Sequence, residues 1–159
     1  MFKRTLDNTD IAILALLYQD ARLNNKDIAE KVGLAPSSCL ERIKKLQADK
    51  IIVGSQLHIN LQALGGNIQA IISVRLSAHN RLIVDGLQQK WQSLPEVLSL
   101  FHMAGNLDFL VHVSVSDTAH LRDFVFNQIT AMREVNHVET ALVYEHIVSS
   151  TLPSVADSK

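Results

Sequence analysis

A single cysteine, Cys39, in a chain of 159 residues excludes an intrachain disulfide and the stapled small-domain frameworks that depend on one. That fits a reducing cytoplasm, and it leaves Cys39 to be read as a small apolar helix residue. No apolar run approaches the roughly 20 residues of a membrane span. The opening MFKRTLDNTD lacks the apolar centre of an export signal, so the expected chain is soluble and cytoplasmic, with no membrane partner. Seven histidines are present, yet no H-x-x-H or C-x-x-C spacing occurs and His102 and His112 fall on different predicted strands, so no metal site is expected. A phosphate-cradling Gly-rich loop and a G-x-S-x-G nucleophile elbow are missing too. No catalytic residue and no cofactor are expected. Repeats and low-complexity runs are absent as well.

What is present is enough apolar material to fold: 47% of residues are hydrophobic and 19% charged, far from a disordered composition. The length allows one domain or two small ones. The net charge of −1 hides an asymmetry. Residues 1–60 hold nine Lys and Arg against seven Asp and Glu, whereas the remainder holds six against nine, so the first part is the better partner for a polyanion.

In that first part, Ile11, Leu14, Leu17 and Tyr18 follow helical spacing, with Asp7, Asn8 and Thr9 as candidate caps. NNKDIAEKVG predicts a short second helix capped by Asn24 or Asn25, with Ile28, Ala29 and Val32 inward and Gly33 at its end. A third helix starts between Pro36 and Ser38 and runs to about Ala48, placing Leu40, Ile43 and Leu46 on one stripe. Ser38 and Glu41 have the spacing of a capping box, and Pro36 suits a first turn. Two helices joined by a short Gly-containing turn, the second with a polar and basic outer face, predict a helix-turn-helix. KIIVGSQLHIN alternates like a β-wing, completing a unit over 1–60, and LQALGG reads as a hinge over 61–66.

From Asn67 the period changes to two. Ile68, Ala70, Ile72, Val74 and Leu76 share one face of a strand, and Leu82, Ile83, Leu87, Trp91 and Leu94 then keep helical spacing up to Pro95. VLSLFHMA and LDFLVHVSV pair around the dipeptide GN as a hairpin, with Leu107, Phe109, Val111, Val113 and Val115 alternating. Asp117 or Thr118 caps a second helix carrying Leu121, Phe124, Val125, Ile129 and Met132, and VNHVETALVYEHIV supplies a last strand. The fold class is thus α+β: an N-terminal winged helix-turn-helix, then a ferredoxin-like βαββαβ domain over 67–148, then a polar tail over 149–159. Two helices cover one face of such a sheet. The other face is expected to be apolar and to pair with a second copy as an obligate homodimer.

LDNTDIAILALLYQDAR, DIAEKVGLAPSSCLERIKKLQADKII and MAGNLDFLVHVSVSD, in that order and spacing, resemble the opening helix, the DNA-reading unit and the Gly-x-x-Asp-aromatic-Leu turn of the Lrp/AsnC family of transcription regulators. The resemblance spans nearly the whole chain. It implies a sequence-specific regulator of double-stranded DNA, built from homodimers that often assemble into octamers, whose C-terminal domain senses an amino acid. Two positions depart from the family pattern. Ala35 stands where many relatives have a capping Ser, which leaves that role to Ser38, and Asn106 stands where many have Asp. The sirohaem decarboxylases resemble the same two-part architecture and supply the alternative reading as an enzyme. A stand-alone amino-acid-binding module is a third.

On the DNA reading, Ser37 and Ser38 lead the recognition helix into the major groove. Arg42 is placed to read guanine, Lys44 and Lys45 to meet phosphate, and Lys26, Lys31 and Lys50 to add secondary phosphate contacts. At the turn AGNLD the backbone of Gly105 and the Asp108 carboxylate are expected to take an effector's carboxylate and amino group, with Asn106 and Thr140 as further contacts. Asp108 also suits a purely structural role, fixing the hairpin by accepting backbone hydrogen bonds.

Overall fold

A computed structural model describes residues 5–78 and 80–153. They form two compact units, residues 5–57 with 147–153 and residues 58–146. Of the expected polar tail, 154–159 lie outside the described residues, as do 1–4 of the opening stretch.

The first unit holds α1 (Asn8–Gln19), α2 (Asn25–Lys31) and α3 (Pro36–Ala48), closed around Ile13, Ile28, Ala29, Cys39 and Leu46. Asp7 caps α1 by accepting from the Asp10 amide, and Asn24 caps α2 by accepting from Asp27. Gly33 ends α2 at φ +68°, a left-handed conformation that lets the Leu34 amide donate back to the Ala29 carbonyl at 2.9 Å.

Several expectations for this unit are corrected. α3 begins at Pro36 behind an uncapped Ala35, so Ser38 already lies within the helix and no capping box forms; the ring of Pro36 presets the first-turn φ without help from a side chain. In α1 the buried positions are Asp10 and Ile13, while Ile11 and Tyr18 face solvent. In α3 the stripe is led by Cys39 rather than by Leu40. Burial also raises the Cys39 thiol pKa. Residues 53–60, expected as part of the β-wing, carry no strand among the described residues, and Val53, Leu57 and Ile59 are exposed. Alternation becomes a strand only where a neighbour completes the hydrogen-bond ladder, and no described strand lies beside this segment.

The second unit runs β1 (Ile68–Leu76), α4 (Arg81–Gln92), β2 (Val97–His102), β3 (Phe109–Val115), α5 (Thr118–Phe124) and β4 (Val135–Val143). The strand order is β2-β3-β1-β4, antiparallel throughout, the ferredoxin-like arrangement. The alternation in β1 and β3 points Ala70, Ile72, Val74 and Leu76, with Phe109, Val111, Val113 and Val115, into one core under the helices. Trp91 of α4 closes that core. Its indole N–H donates to the Gln128 carbonyl at 2.9 Å, and its ring meets Phe109 edge-on at 5.3 Å. Leu82, expected inward, faces solvent.

After α5 the helix widens into a π turn over Val125–Thr130, which keeps Leu121, Phe124 and Ile129 buried. Carbonyls at a helix end lack helical donors, and the Trp91 indole supplies one to Gln128.

The β2–β3 connection is longer than a two-residue hairpin. It runs from Met103, whose amide donates to the Asp108 carbonyl at 2.8 Å, to Asp108, whose own amide donates to the Val74 carbonyl at 2.9 Å. Leu107 therefore sits in the loop rather than in the strand. The open sheet face is also more polar than expected. Register places Ile71, Leu110 and Phe101 there beside Gln69, Ser73, Arg75, His112 and Glu139. His112 is buried on that face, 3.0 Å from Gln69 Oε1 and edge-on to His146 at 5.1 Å. Burial first, and His146 second, lower its pKa.

The Trp91–Phe109 pair carries much of this core. Phe109→Ala is expected to destabilise the sheet unit by about 3–5 kcal/mol, read in a urea titration from the fluorescence of Trp91, the chain's single tryptophan. A loss well under 1 kcal/mol overturns that reading.

Candidate nucleic-acid interface and ligand turn

The side of α3 opposite its buried stripe is fully exposed. Ser37 and Ser38 occupy its first turn, and Lys44 and Lys45 follow each of them two turns later, all accessible. Lys26 and Lys31 are exposed on α2. Lys50, also exposed, ends α3 in a left-handed conformation at φ +55° while the Ile51 amide donates back to the Leu46 carbonyl at 2.9 Å. Seven of the eight expected DNA contacts are therefore available, six on two adjoining helices and Lys50 just past the end of α3.

Arg42 is the exception. Its guanidinium is turned away from the outer face and onto α1, where one nitrogen lies 2.6 Å from Asp7 Oδ2 and 2.9 Å from Asp10 Oδ1. The cause is helical geometry. Arg42 lies three residues after Cys39 and one before Ile43, at the border of the buried stripe, within reach of α1. Asp10 is 1% exposed, and a buried carboxylate requires a partner. The base-reading role expected of Arg42 gives way to an internal clamp between α1 and α3. The signal was in the sequence: Asp10, Ile13, Leu14 and Leu17 share one helical stripe, and a carboxylate on an apolar stripe calls for a cation.

Asn25 is a second contributor that sequence reasoning missed. Its Nδ2 donates to the Pro36 carbonyl at 2.7 Å, tying the start of α2 to the start of α3 and holding the angle of the helix pair.

In the sheet unit, Gly105 adopts φ +114° and so serves a turn that a side chain would strain. The Asn106 carbonyl accepts from Arg75 Nε at 2.8 Å. Asp108 Oδ2 accepts from the Leu76 amide at 2.7 Å, so this carboxylate braces the loop against the end of β1. Thr140 is not brought to the turn. It pairs with Ile72 and lines a separate cleft of about 380 Å³ with Leu121, Val125 and Phe126. Among the described residues no cluster of three metal-ligating side chains occurs, and no helix is long and apolar enough to cross a membrane.

The clamp has a pH signature. The Asp10 amide first, and the Arg42 guanidinium next, hold the Asp7 carboxyl below its usual 3.8, and the two carboxylates in turn raise the Arg42 pKa. Folding lowers the Asp7 pKa, so its stabilisation is complete above 3.8 and disappears as pH falls through the lower folded value. Arg42→Ala is expected to lower the melting midpoint of the helical unit at neutral pH and to lose that disadvantage progressively in acid below about pH 4. Circular dichroism melts across pH check this; identical midpoints at neutral pH refute the clamp.

Comparison with known proteins agrees with both units. Residues 6–53 match the winged helix-turn-helix DNA-binding family and residues 69–153 match the Lrp/AsnC ligand binding domain. The HTH-type transcriptional regulator AldR of Mycolicibacterium smegmatis is 38% identical over 91% of this chain and 84% of its own length. AldR of Mycobacterium tuberculosis is 37% identical over 89% and 79%. Among solved structures, the transcriptional regulator NMB0573 from Neisseria meningitidis, in complex with L-Met, superposes with a TM-score of 0.84 at 29% identity, covering 94% of this chain and 97% of that one. E. coli AsnC shares the fold at 23% identity and a TM-score of 0.79. With a DNA-binding helix pair in one unit and a matching ligand-binding domain in the other, the chain belongs to the Lrp/AsnC family of DNA-binding transcriptional regulators.

Proposed function

We propose that the chain regulates transcription by binding specific DNA as a homodimer or a larger assembly, and that a small amino acid bound at the Met103–Asp108 turn alters that binding. The observation that carries the DNA part is the exposed face of Ser37, Ser38, Lys44 and Lys45 on an α3 whose opposite face is fixed in a core. Short hydroxyls at the leading end reach bases or phosphates, and the lysines meet phosphate as point charges. With Arg42 withdrawn, base reading falls to the serines and neighbouring backbone.

The effector part is supported by the Lrp/AsnC ligand binding domain match and by the neighbour's L-Met complex. Within this chain the turn offers a glycine backbone and the Asn106 side chain, while Asp108 holds the loop in shape. The open face, with Phe101 52% exposed beside Ile71 and Leu110, supports association through the sheet. An amino acid that favours one assembly over another by roughly 1–3 kcal/mol would suffice to respace linked helix pairs on DNA.

The test is salt-dependent binding of the purified chain to its own upstream DNA, with and without a pool of the twenty amino acids. Tight binding whose affinity or stoichiometry changes with the pool is the expected result, and no specific binding in either condition refutes the regulator reading. Lys45→Ala should reduce the slope of log K against log salt by about one without changing stability. For the turn, Asn106→Ala retains the backbone contact to Arg75 and should blunt the ligand response, whereas Asp108→Ala would disturb the loop itself. An unchanged response in Asn106→Ala removes that side chain from the site.

A further inference from the structure

At the end of the sheet opposite the Met103–Asp108 turn lies a second cleft that the amino-acid reading does not use. The turn abuts Val74 and Leu76, late in β1. The cleft, of about 370 Å³, is bounded by residues 61–66, the start of β2 and the end of β3. A 3₁₀ turn, Gln62–Leu64, followed by two glycines forms one side. A Cβ at Gly66 would lie 2.3 Å from Ser114 Oγ and 3.1 Å from the Leu61 carbonyl, so any larger residue would force both to shift. That close approach buries the Ser114 hydroxyl without a hydrogen-bond partner, an uncommon and costly state for a polar group.

The cleft has two unlike walls. Leu61, Leu64 and Leu98 line one of them. The other is a chain of polar groups. Glu96 Oε1 lies 3.2 Å from His120 Nε2, His120 Nδ1 lies 3.3 Å from Ser116 Oγ, and Ser116 Oγ donates to Asp117 Oδ2 at 2.9 Å. Asp117 is fully used, because its Oδ1 accepts from the His120 amide at 2.8 Å. Glu96 engages only one of its oxygens among the described residues. Its side chain is 22% exposed, so it is partly desolvated yet reachable. Among the described residues no Lys or Arg lines the cleft.

From this asymmetry we propose that the cleft is a binding site for a small alkylammonium compound, its cationic head on Glu96 and its apolar body against Leu61, Leu64 and Leu98. Among the described residues the cleft offers a carboxylate-bearing ligand no Lys or Arg, and its one imidazole, His120, is already held on Glu96, which sets this site apart from one for a free amino acid. The cleft's volume lies at the lower end of the range for small-molecule sites, which limits the ligand to a short amine. The proposal stands independently of the effector reading at the other end of the sheet.

The test uses the full chain, with n-butylammonium chloride as the ligand and sodium butyrate as its anionic counterpart at matched ionic strength. Saturable binding of the amine is expected in NMR titrations, moving the His120 imidazole and the Gly65 and Gly66 amides while leaving Gly105 unmoved. Butyrate should produce none of these shifts. Glu96→Gln keeps the shape and the hydrogen bonding of the side chain, and should weaken the amine about tenfold, the size of one lost charge-assisted hydrogen bond. Ser114→Ala, which removes only the orphaned hydroxyl, should preserve binding and confirm that the fold of the cleft is intact. Shifts that do not saturate, equal shifts with butyrate, shifts centred on Gly105, or undiminished binding in Glu96→Gln each overturn the proposal.

Discussion

A carboxylate with almost no exposure, Asp10, sits on the inner side of α1 among apolar neighbours, and what the helical unit can present to DNA follows from how that charge is met. Leaving an ionised carboxylate unpaired in such a place is prohibitive, so a cation must be drawn inward. Among the described residues, Arg42 reaches it at 2.9 Å. Because Arg42 belongs to α3, the neutralisation also fixes the rotation and register of α3 against α1. The serines and lysines on the far side of α3 inherit that orientation. Asn25 adds a second constraint from α2 through the Pro36 carbonyl, and the recognition helix is then held from both neighbouring helices.

The sheet unit is organised by β1, hydrogen-bonded along both edges and alternating so cleanly that its inward face could be read from the sequence. Period two is a strong signal when one side of a sheet is covered, and Ala70, Ile72, Val74 and Leu76 are buried as the pattern requires. The weaker readings failed for identifiable physical reasons. The 53–60 segment has strand-like alternation but no partner, and β structure is a property of pairs of strands. The hairpin dipeptide Gly105-Asn106 was located correctly but given too short a loop, because Asp108 extends the contact with β1 while β2 has already ended at His102. Alternation in β1 identifies the buried side, while the interleaved Gln69, Ser73 and Arg75 make the open face more polar than that pattern alone implies.

Site residues were less legible than fold, and Arg42 shows why. Sequence periodicity assigns a residue to a helix face within a turn or so, but a long side chain at the border of two faces is directed by what lies across the interface. Only the partner, Asp10, decides between solvent and core. Thr140 illustrates a related point: strand register places it beside Ile72 rather than at the turn, and register emerges from the whole sheet. Asp108 lies at the turn as its place in the sequence implies, and its Oδ2 accepts the Leu76 N–H.

The clamp also alters the electrostatics of DNA binding. Counted whole, residues 1–60 carry nine basic groups against seven acidic ones, a thin positive margin for a polyanion. Pairing Arg42 with Asp7 and Asp10 ties one cation to two carboxylates and leaves the net charge of the unit as it was. The unit loses a candidate base reader, and the exposed lysines that remain on α2 and α3 favour phosphate contact over direct guanine recognition. Phosphate contacts carry little sequence information and weaken steeply with salt. In the assembly proposed above, discrimination comes from the spacing of several helix pairs along the duplex, where linked weak contacts multiply, and the exposed Phe101 of the sheet unit offers a surface for that association.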